Sequence, residues 1–114
     1  LDFNIFHRTK HLATHLVKAT ATKILIDHHE EPDTPSFQYG ISNISKSSTC
    51  EMIYDFIVES GNVALLNKDI ALCLYTGVMT DTGSFRFAST TASVHKMVAK
   101  LKETGFDHSS VHAN

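Results

Sequence analysis

The sequence contains few cysteines, no excess of basic residues and no long hydrophobic run. Its two cysteines, Cys50 and Cys73, lie far apart in predicted helices, which argues against a disulfide framework or a cysteine-based zinc site. We expect both thiols to be buried and reduced. Ten Lys and Arg against twelve Asp and Glu give a formal net charge of −2, which argues against a protein that coats nucleic acid by bulk charge. No apolar run approaches the roughly 18 residues that cross a bilayer, so we expect no membrane partner. The reduced thiols predict a cytoplasmic protein.

The length of 114 residues, with 42% hydrophobic and 19% charged residues, is typical of one ordinary globular domain. Apolar residues between Ile5 and Ala19 recur at helical spacing and predict one helix. The run Ile24–Ile26 is short and rich in β-branched residues, which is typical of a strand buried on both faces of a parallel sheet. Apolar and polar residues alternate over 37–42 and predict a half-buried strand. Only about ten residues separate the two strands, so their relative direction stays open.

Three further helices follow in the second half of the chain. Ser48 and Glu51 form a capping box, in which the Glu side chain is expected to bond the N–H of the capping residue. Asn67 can cap a second helix, and apolar spacing between Thr91 and Glu103 predicts a third. The order helix, strand, strand, three helices predicts an α/β layer fold.

Asp27-His28-His29 directly follows the first predicted strand, where open α/β sheets bind their ligands. One carboxylate and two imidazoles suit Mn²⁺, Zn²⁺ or Fe²⁺. Because adjacent strand residues point to opposite faces, we expect one histidine to face a metal and its neighbour to face elsewhere. The alternative is a polar strand end whose histidines are only solvated.

Three other places carry candidate chemistry. The turn around Asp81, between Thr80 and Ser84, would present an oriented carboxylate to a metal, or would simply break a helix as an Asx turn. Asp2 lies at a predicted strand end but is a common kind of residue there. Arg86, between two phenylalanines, would grip a phosphate or extend into solvent over its neighbours. The remaining histidines are expected to be solvated, including His11 and His15, which lack a nearby third ligand.

Taken together, ILIDHH, SSTCEMIYDFI and GVMTDTGSFRF resemble the DHH phosphoesterase family in content and order. The similarity is greatest to bacterial oligoribonucleases that also dephosphorylate 3′-phosphoadenosine 5′-phosphate. It covers essentially the whole chain and implies a Rossmann-like, mostly parallel sheet with flanking helices, holding two Mn²⁺ ions. The family's first motif and its DHH-associated C-terminal domain have no counterpart here. We therefore expect residues 1–114 to be the central and C-terminal part of a DHH domain, inactive alone.

The resemblance also implies roles for individual residues. The metal ligands would be Asp2, His28 and Asp81. His29 would contact the substrate phosphate, and Asp27 would orient its neighbours. Pocket residues that bind substrate would be Gly83, Ser84 and Arg86.

The implied activity is two-metal hydrolysis of short RNA or a nucleotide, with no long duplex as partner and with a homodimer as one possible assembly. Two alternatives stay open. One is a cyclic- or linear-dinucleotide phosphodiesterase of the same family, and the other is a non-catalytic nucleotide-binding domain.

Overall fold

The structure, a computed structural model, describes residues 1–113 and divides into two compact units. The first unit, Leu1–Ser45, contains a 3-10 helix (Phe6–Leu12), helix α1 (Ala13–Lys18), strand β1 (Ile24–Asp27), a 3-10 turn (Thr34–Ser36) and strand β2 (Tyr39–Ser42). The second unit begins at Lys46 and contains α2 (Thr49–Glu59), a 3-10 turn (Val63–Leu65), α3 (Lys68–Asp81), α4 (Ala92–Lys102) and α5 (Ser109–His112). The predicted α/β class is confirmed.

Strands β1 and β2 form a parallel pair in which Ile24 lies opposite Tyr39 and Ile26 lies opposite Ile41. The direction that the sequence left open is therefore parallel. Residues 28–38 make the connection without a crossover helix, using the 3-10 turn that contains Pro35. This connection carries candidate site residues, because His28 and His29 are its first two residues.

The burial predicted for both strands is wrong. Leu25 and Asp27 on one face of β1 are buried, but Ile24 on the other face is 58% exposed. All four residues of β2 are exposed, including Tyr39 at 70%. Alternation reports which side chains share a face of a strand, but other parts of the chain decide whether that face is covered.

The single helix predicted over residues 5–19 is also wrong. The backbone leaves helical geometry at Lys10, where φ is 57° and ψ is −120°, so a 3-10 helix precedes α1. No glycine or proline marks this break in the sequence. Phe6 anchors the segment, because it is buried and meets Phe37 edge-on with ring centroids 5.1 Å apart.

Helix α2 begins at the predicted capping box. Ser48 Oγ accepts a hydrogen bond from the Glu51 N–H at 3.1 Å. The Glu51 carboxylate reaches one residue further back than predicted and accepts from the N–H of Ser47 at 2.8 Å and its hydroxyl at 3.0 Å. Such a cap contributes about 1 kcal/mol and fixes where the second unit's first helix starts.

The core of the second unit lies between α2, α3 and α4. Gly77 of α3 lies so close to Cys50 of α2 that a Cβ at position 77 would collide with the Cys50 Sγ. A glycine is therefore required for this close approach of the two helices. The buried apolar residues of this core are Ala71, Leu74, Tyr75, Val78, Val94, Met97, Leu101 and Phe106.

Both cysteines lie in helices and form no disulfide, as predicted, but Cys73 is exposed and Cys50 only partly buried. The predicted burial of both thiols is therefore wrong. Across residues 1–113, every helix is too short or too polar to cross a membrane.

Candidate metal centre

Asp2, His28 and His29 lie together at the carboxyl end of β1. The Asp2 N–H donates to the carbonyl of Ile26 at 3.0 Å, which holds the start of the chain alongside the strand. Each of the three side chains offers one ligand atom, and these atoms all lie within 4.8 Å of one another. His28 Nε2 is 3.7 Å from an Asp2 carboxylate oxygen. The sequence stretches at residues 2 and 28–29 therefore form one cluster of potential metal ligands.

The two histidines face the same cluster, which corrects the prediction that neighbouring residues would face opposite ways. Their ring centroids are 4.5 Å apart. Strand β1 ends at Asp27, so His28 and His29 no longer follow strand alternation. The turn after a strand can thus gather consecutive side chains that a continuing strand would separate.

Asp27 holds His29 in place. The buried carboxylate accepts a hydrogen bond from the His29 N–H at 2.9 Å through one oxygen and contacts His29 Nδ1 at 2.7 Å through the other. The Asp27 side chain is fully buried, whereas the His29 side chain is 36% exposed, so solvent reaches the contact only from the histidine side. Because Nδ1 is engaged by the carboxylate, Nε2 is the ring nitrogen through which His29 can meet a ligand.

Asn4 supports the site, although no sequence pattern singled it out. Its fully buried side chain donates from Nδ2 to the carbonyls of His29 at 3.0 Å and Glu30 at 2.8 Å. The backbone carbonyl of Asn4 accepts a hydrogen bond from the Asp33 N–H at 2.8 Å. Asn4 therefore ties the segment that carries Asp2 to the loop that carries the histidines. Within residues 1–113, Asn4 Oδ1 is buried without a hydrogen-bond partner.

Asp81 is the last residue of α3, in the second unit, rather than part of the turn predicted there. The turn begins at Thr82, whose buried hydroxyl donates to the Val78 carbonyl at 2.7 Å and accepts from the Phe85 N–H at 3.0 Å. Helix α3 therefore includes Thr80 and Asp81, two residues that the sequence placed in the turn. The Asp81 carboxylate is consequently presented from an exposed helix end.

The turn after Asp81 has an unusual backbone. Gly83, Ser84 and Phe85 all have positive φ, at 58°, 58° and 68°. Two observations require a glycine at position 83. Its φ is positive, and a Cβ there would lie 2.5 Å from the Phe87 ring. Strained turns of this kind cluster at functional sites, where they aim particular groups.

Arg86 is exposed in this turn, and its Nε donates to the Gly83 carbonyl at 2.8 Å. That bond fixes the near end of the guanidinium group, whose two terminal nitrogens are then presented to solvent. Of the predicted site residues, the first unit brings together Asp2, Asp27, His28 and His29. The second unit brings together Asp81, Gly83, Ser84 and Arg86.

A parallel-stranded α/β fold with carboxylate and imidazole groups at the carboxyl end of a strand defines a candidate metal-binding protein. Residues 1–78 match the DHH family, N-terminal domain. The chain belongs to the DHH family, as its motifs predicted.

Two relatives and one solved structure illustrate the similarity. An uncharacterized protein of Mycoplasma genitalium is 38% identical over 95 residues, which are 83% of this chain and 28% of that protein. The bifunctional oligoribonuclease and PAP phosphatase NrnA of Thermus thermophilus is 39% identical over 79 residues, 68% of this chain and 23% of that protein. The crystal structure of an exopolyphosphatase-related protein from Bacteroides fragilis has a TM-score of 0.94 and 32% identity, covering 98% of this chain and 33% of that one. The chain thus spans about a quarter of the length of these curated relatives.

Proposed function

We propose that the protein is a cytoplasmic, Mn²⁺-dependent phosphoesterase that hydrolyses very short oligoribonucleotides and 3′-phosphoadenosine 5′-phosphate. The observation that carries this proposal is the cluster of Asp2, His28 and His29, with His29 held by the buried Asp27. Membership of the DHH family and the name of the Thermus relative support it.

The donor atoms fit a metal of this kind. Carboxylate oxygen and imidazole nitrogen together suit Mn²⁺ and its neighbours in the first transition row. Two donors on one ion lie at most about 4 Å apart, which is twice a typical metal–ligand distance of about 2.1 Å. The two donors assigned to the metal, His28 Nε2 and an Asp2 carboxylate oxygen, are 3.7 Å apart and so already lie within that limit.

In the proposed reaction, Asp2 and His28 would hold the metal. The family resemblance assigns a further ligand role to the Asp81 carboxylate. Two ions need more ligands than these, and we propose that the remaining ligands lie outside these 114 residues. A pair of bound cations supplies a water nucleophile at neutral pH and stabilises the attacking and leaving oxygens.

The other site residues act on the substrate. His29 would turn Nε2 toward a phosphoryl oxygen while the Asp27 carboxylate holds Nδ1, so the ring keeps its orientation as charge moves onto the phosphate. Arg86 offers its terminal nitrogens to another phosphoryl oxygen, an arrangement that guanidinium geometry favours. Gly83 and Ser84 shape the turn from which Arg86 extends.

A panel of substrates tests the proposal on the full gene product supplied with Mn²⁺. The panel contains a short RNA, 3′-phosphoadenosine 5′-phosphate, a cyclic dinucleotide and pyrophosphate. Turnover of the first two is expected. Turnover of only the cyclic dinucleotide or of only pyrophosphate would replace the substrate, and silence with metal bound would favour a non-catalytic binding domain.

His28→Ala tests the metal assignment in the same assay. We expect loss of Mn²⁺-dependent turnover with an unchanged circular dichroism spectrum, because one ligand is removed at a partly exposed position. His95→Ala, an exposed histidine of α4, is the matched control and should behave as the wild type. Retained activity in His28→Ala would refute the ligand assignment.

A further inference from the structure

Positive charge is concentrated in one stretch of an otherwise slightly acidic chain. Between Asp2 and Asp27 the sequence has no carboxylate, but it has four of the ten Lys and Arg residues and three of the eight histidines. The rest of the chain carries the acidic excess. The basic segment, defined here as Phe6–Lys18, contains Arg8, Lys10, Lys18 and all three of these histidines.

The cations of the basic segment are not paired with carboxylates of residues 1–113. Arg8, Lys10 and Lys18 are exposed and, within residues 1–113, form no ion pair. Elsewhere, by contrast, Lys46 lies 2.7 Å from the Asp55 carboxylate and Lys100 lies 3.0 Å from that of Glu103.

The helices of this segment also lack the usual acidic residues in their first turns, while basic residues occupy the last turns. Because like charges repel, a run of cations without partners is a favourable place for an external anion.

The basic segment begins next to the candidate metal centre, within the same unit. Asn4, two residues after Asp2, is bonded to the carbonyls of His29 and Glu30. Phe6 is buried against Phe37, and the Thr9 hydroxyl donates to the Phe6 carbonyl at 2.6 Å. The chain therefore leads directly from the cluster, through an anchored turn, into the exposed cations.

We infer that the basic segment binds the sugar-phosphate backbone of an oligoribonucleotide whose terminal phosphoester lies at the metal centre. This inference rests on the proposed function and deepens it. A chain of several nucleotides, unlike a mononucleotide, would contact both the metal centre and the basic segment. Exposed Lys and Arg side chains bind successive phosphates without reading sequence.

A membrane surface fits this segment less well than RNA does. An interfacial helix needs a long apolar face opposite its cations. Helix α1 has six residues, and the segment's exposed large apolar side chains are only Leu12 and Val17. The charge is therefore present without the apolar area that would hold the segment in a bilayer interface.

The test compares RNA binding by two double variants of the full gene product. Lys10→Gln/Lys18→Gln removes two cations of the basic segment. Lys96→Gln/Lys102→Gln is the matched control, because it removes two exposed cations of α4 that form no ion pair with the described residues 1–113. Binding of a hydrolysis-resistant phosphorothioate RNA, in Mn²⁺, is followed by fluorescence anisotropy over a range of salt concentrations. Each lost phosphate contact lowers the salt slope by about 0.7 and the affinity about fourfold near physiological salt.

We therefore expect the basic-segment variant to bind about 14-fold more weakly, with a salt slope lower by about 1.4, and the α4 variant to bind as the wild type. Equal weakening in both variants, or none in the first, would overturn the inference. Loss of binding to phosphatidylserine vesicles with unchanged RNA binding would overturn it in favour of a membrane surface.

Turnover of 3′-phosphoadenosine 5′-phosphate by the wild type separates the two proposals. If that turnover is present and Lys10→Gln/Lys18→Gln binds RNA with the affinity of the wild type, only the inference about the basic segment fails. If no nucleotide is turned over, the proposed function itself fails. In kinetics, the basic-segment variant should lose more kcat/KM on short RNA than on the mononucleotide.

Discussion

Replacing Asp27 with Asn tests whether the buried carboxylate orients His29 for its proposed role. Asn keeps the shape of the side chain but has only one acceptor oxygen, whereas Asp27 uses one oxygen for the His29 N–H and the other for Nδ1. In the variant, an NH₂ group faces one of these two donors. The ring then loses either its anchor or its preferred tautomer.

The size of the effect follows from the contact that is lost. A hydrogen bond to a charged group contributes about 1.5–3 kcal/mol. Asp27 is fully buried but His29 is 36% exposed, so we do not expect this contact to exceed that range. Since 1.4 kcal/mol corresponds to a factor of ten, we expect kcat/KM to fall about 10- to 100-fold, as is typical for residues that orient a site's ligands. Part of the same energy should appear as a lower free energy of unfolding.

Phosphate release from 3′-phosphoadenosine 5′-phosphate measures the first effect, and urea denaturation measures the second. Asp55→Asn is the control, because that carboxylate pairs with Lys46 on the surface at 2.7 Å. An exposed pair contributes less than about 1 kcal/mol, and activity should not change. An Asp27→Asn protein that is folded and within about threefold of wild-type activity would refute the orienting role.

Three other substitutions test separate contacts. Arg86→Ala should lower kcat/KM about tenfold without changing Mn²⁺ occupancy, and a loss of metal would contradict its assignment to the substrate. Gly83→Ala should lower the free energy of unfolding, measured by urea denaturation, by about 1–2 kcal/mol because of the positive φ, and further because Phe87 must move. Gly61→Ala is the control, since Gly61 also has a positive φ but open space around it, and it should show the cost of the positive φ alone. Tyr75→Phe removes the hydroxyl bonded to His112 Nε2 at 2.6 Å and should cost about 1 kcal/mol. Burial raises the pKa of the Tyr75 hydroxyl in the folded protein. The contribution of Tyr75 to the free energy of unfolding is therefore complete below about pH 10 and is lost as the pH rises through the pKa of the folded state. Wild-type stability should therefore fall there more steeply than that of Tyr75→Phe.

The parts of the fold that could be predicted depend on neighbouring residues alone. The cap at Ser48, the cap at Asn67 and the short run at Ile24–Ile26 each determine local geometry within a few positions, and all three lie where predicted. The break at Lys10 has no such signal, and the segment that contains it is anchored by Phe6 against a residue thirty-one positions away. Burial of the strands failed for the same reason, since it depends on what covers each face.

The candidate site shows the same division at the level of single side chains. Motif similarity identified His28 and His29 because chemistry-bearing residues stand next to one another in the sequence. It could not identify Asn4, whose importance lies in two hydrogen bonds to carbonyls about 25 residues away. Backbone carbonyls have no sequence signature, so a residue that binds them is visible only once the chain is folded. The residues that hold a site together are therefore harder to predict than those that carry its chemistry.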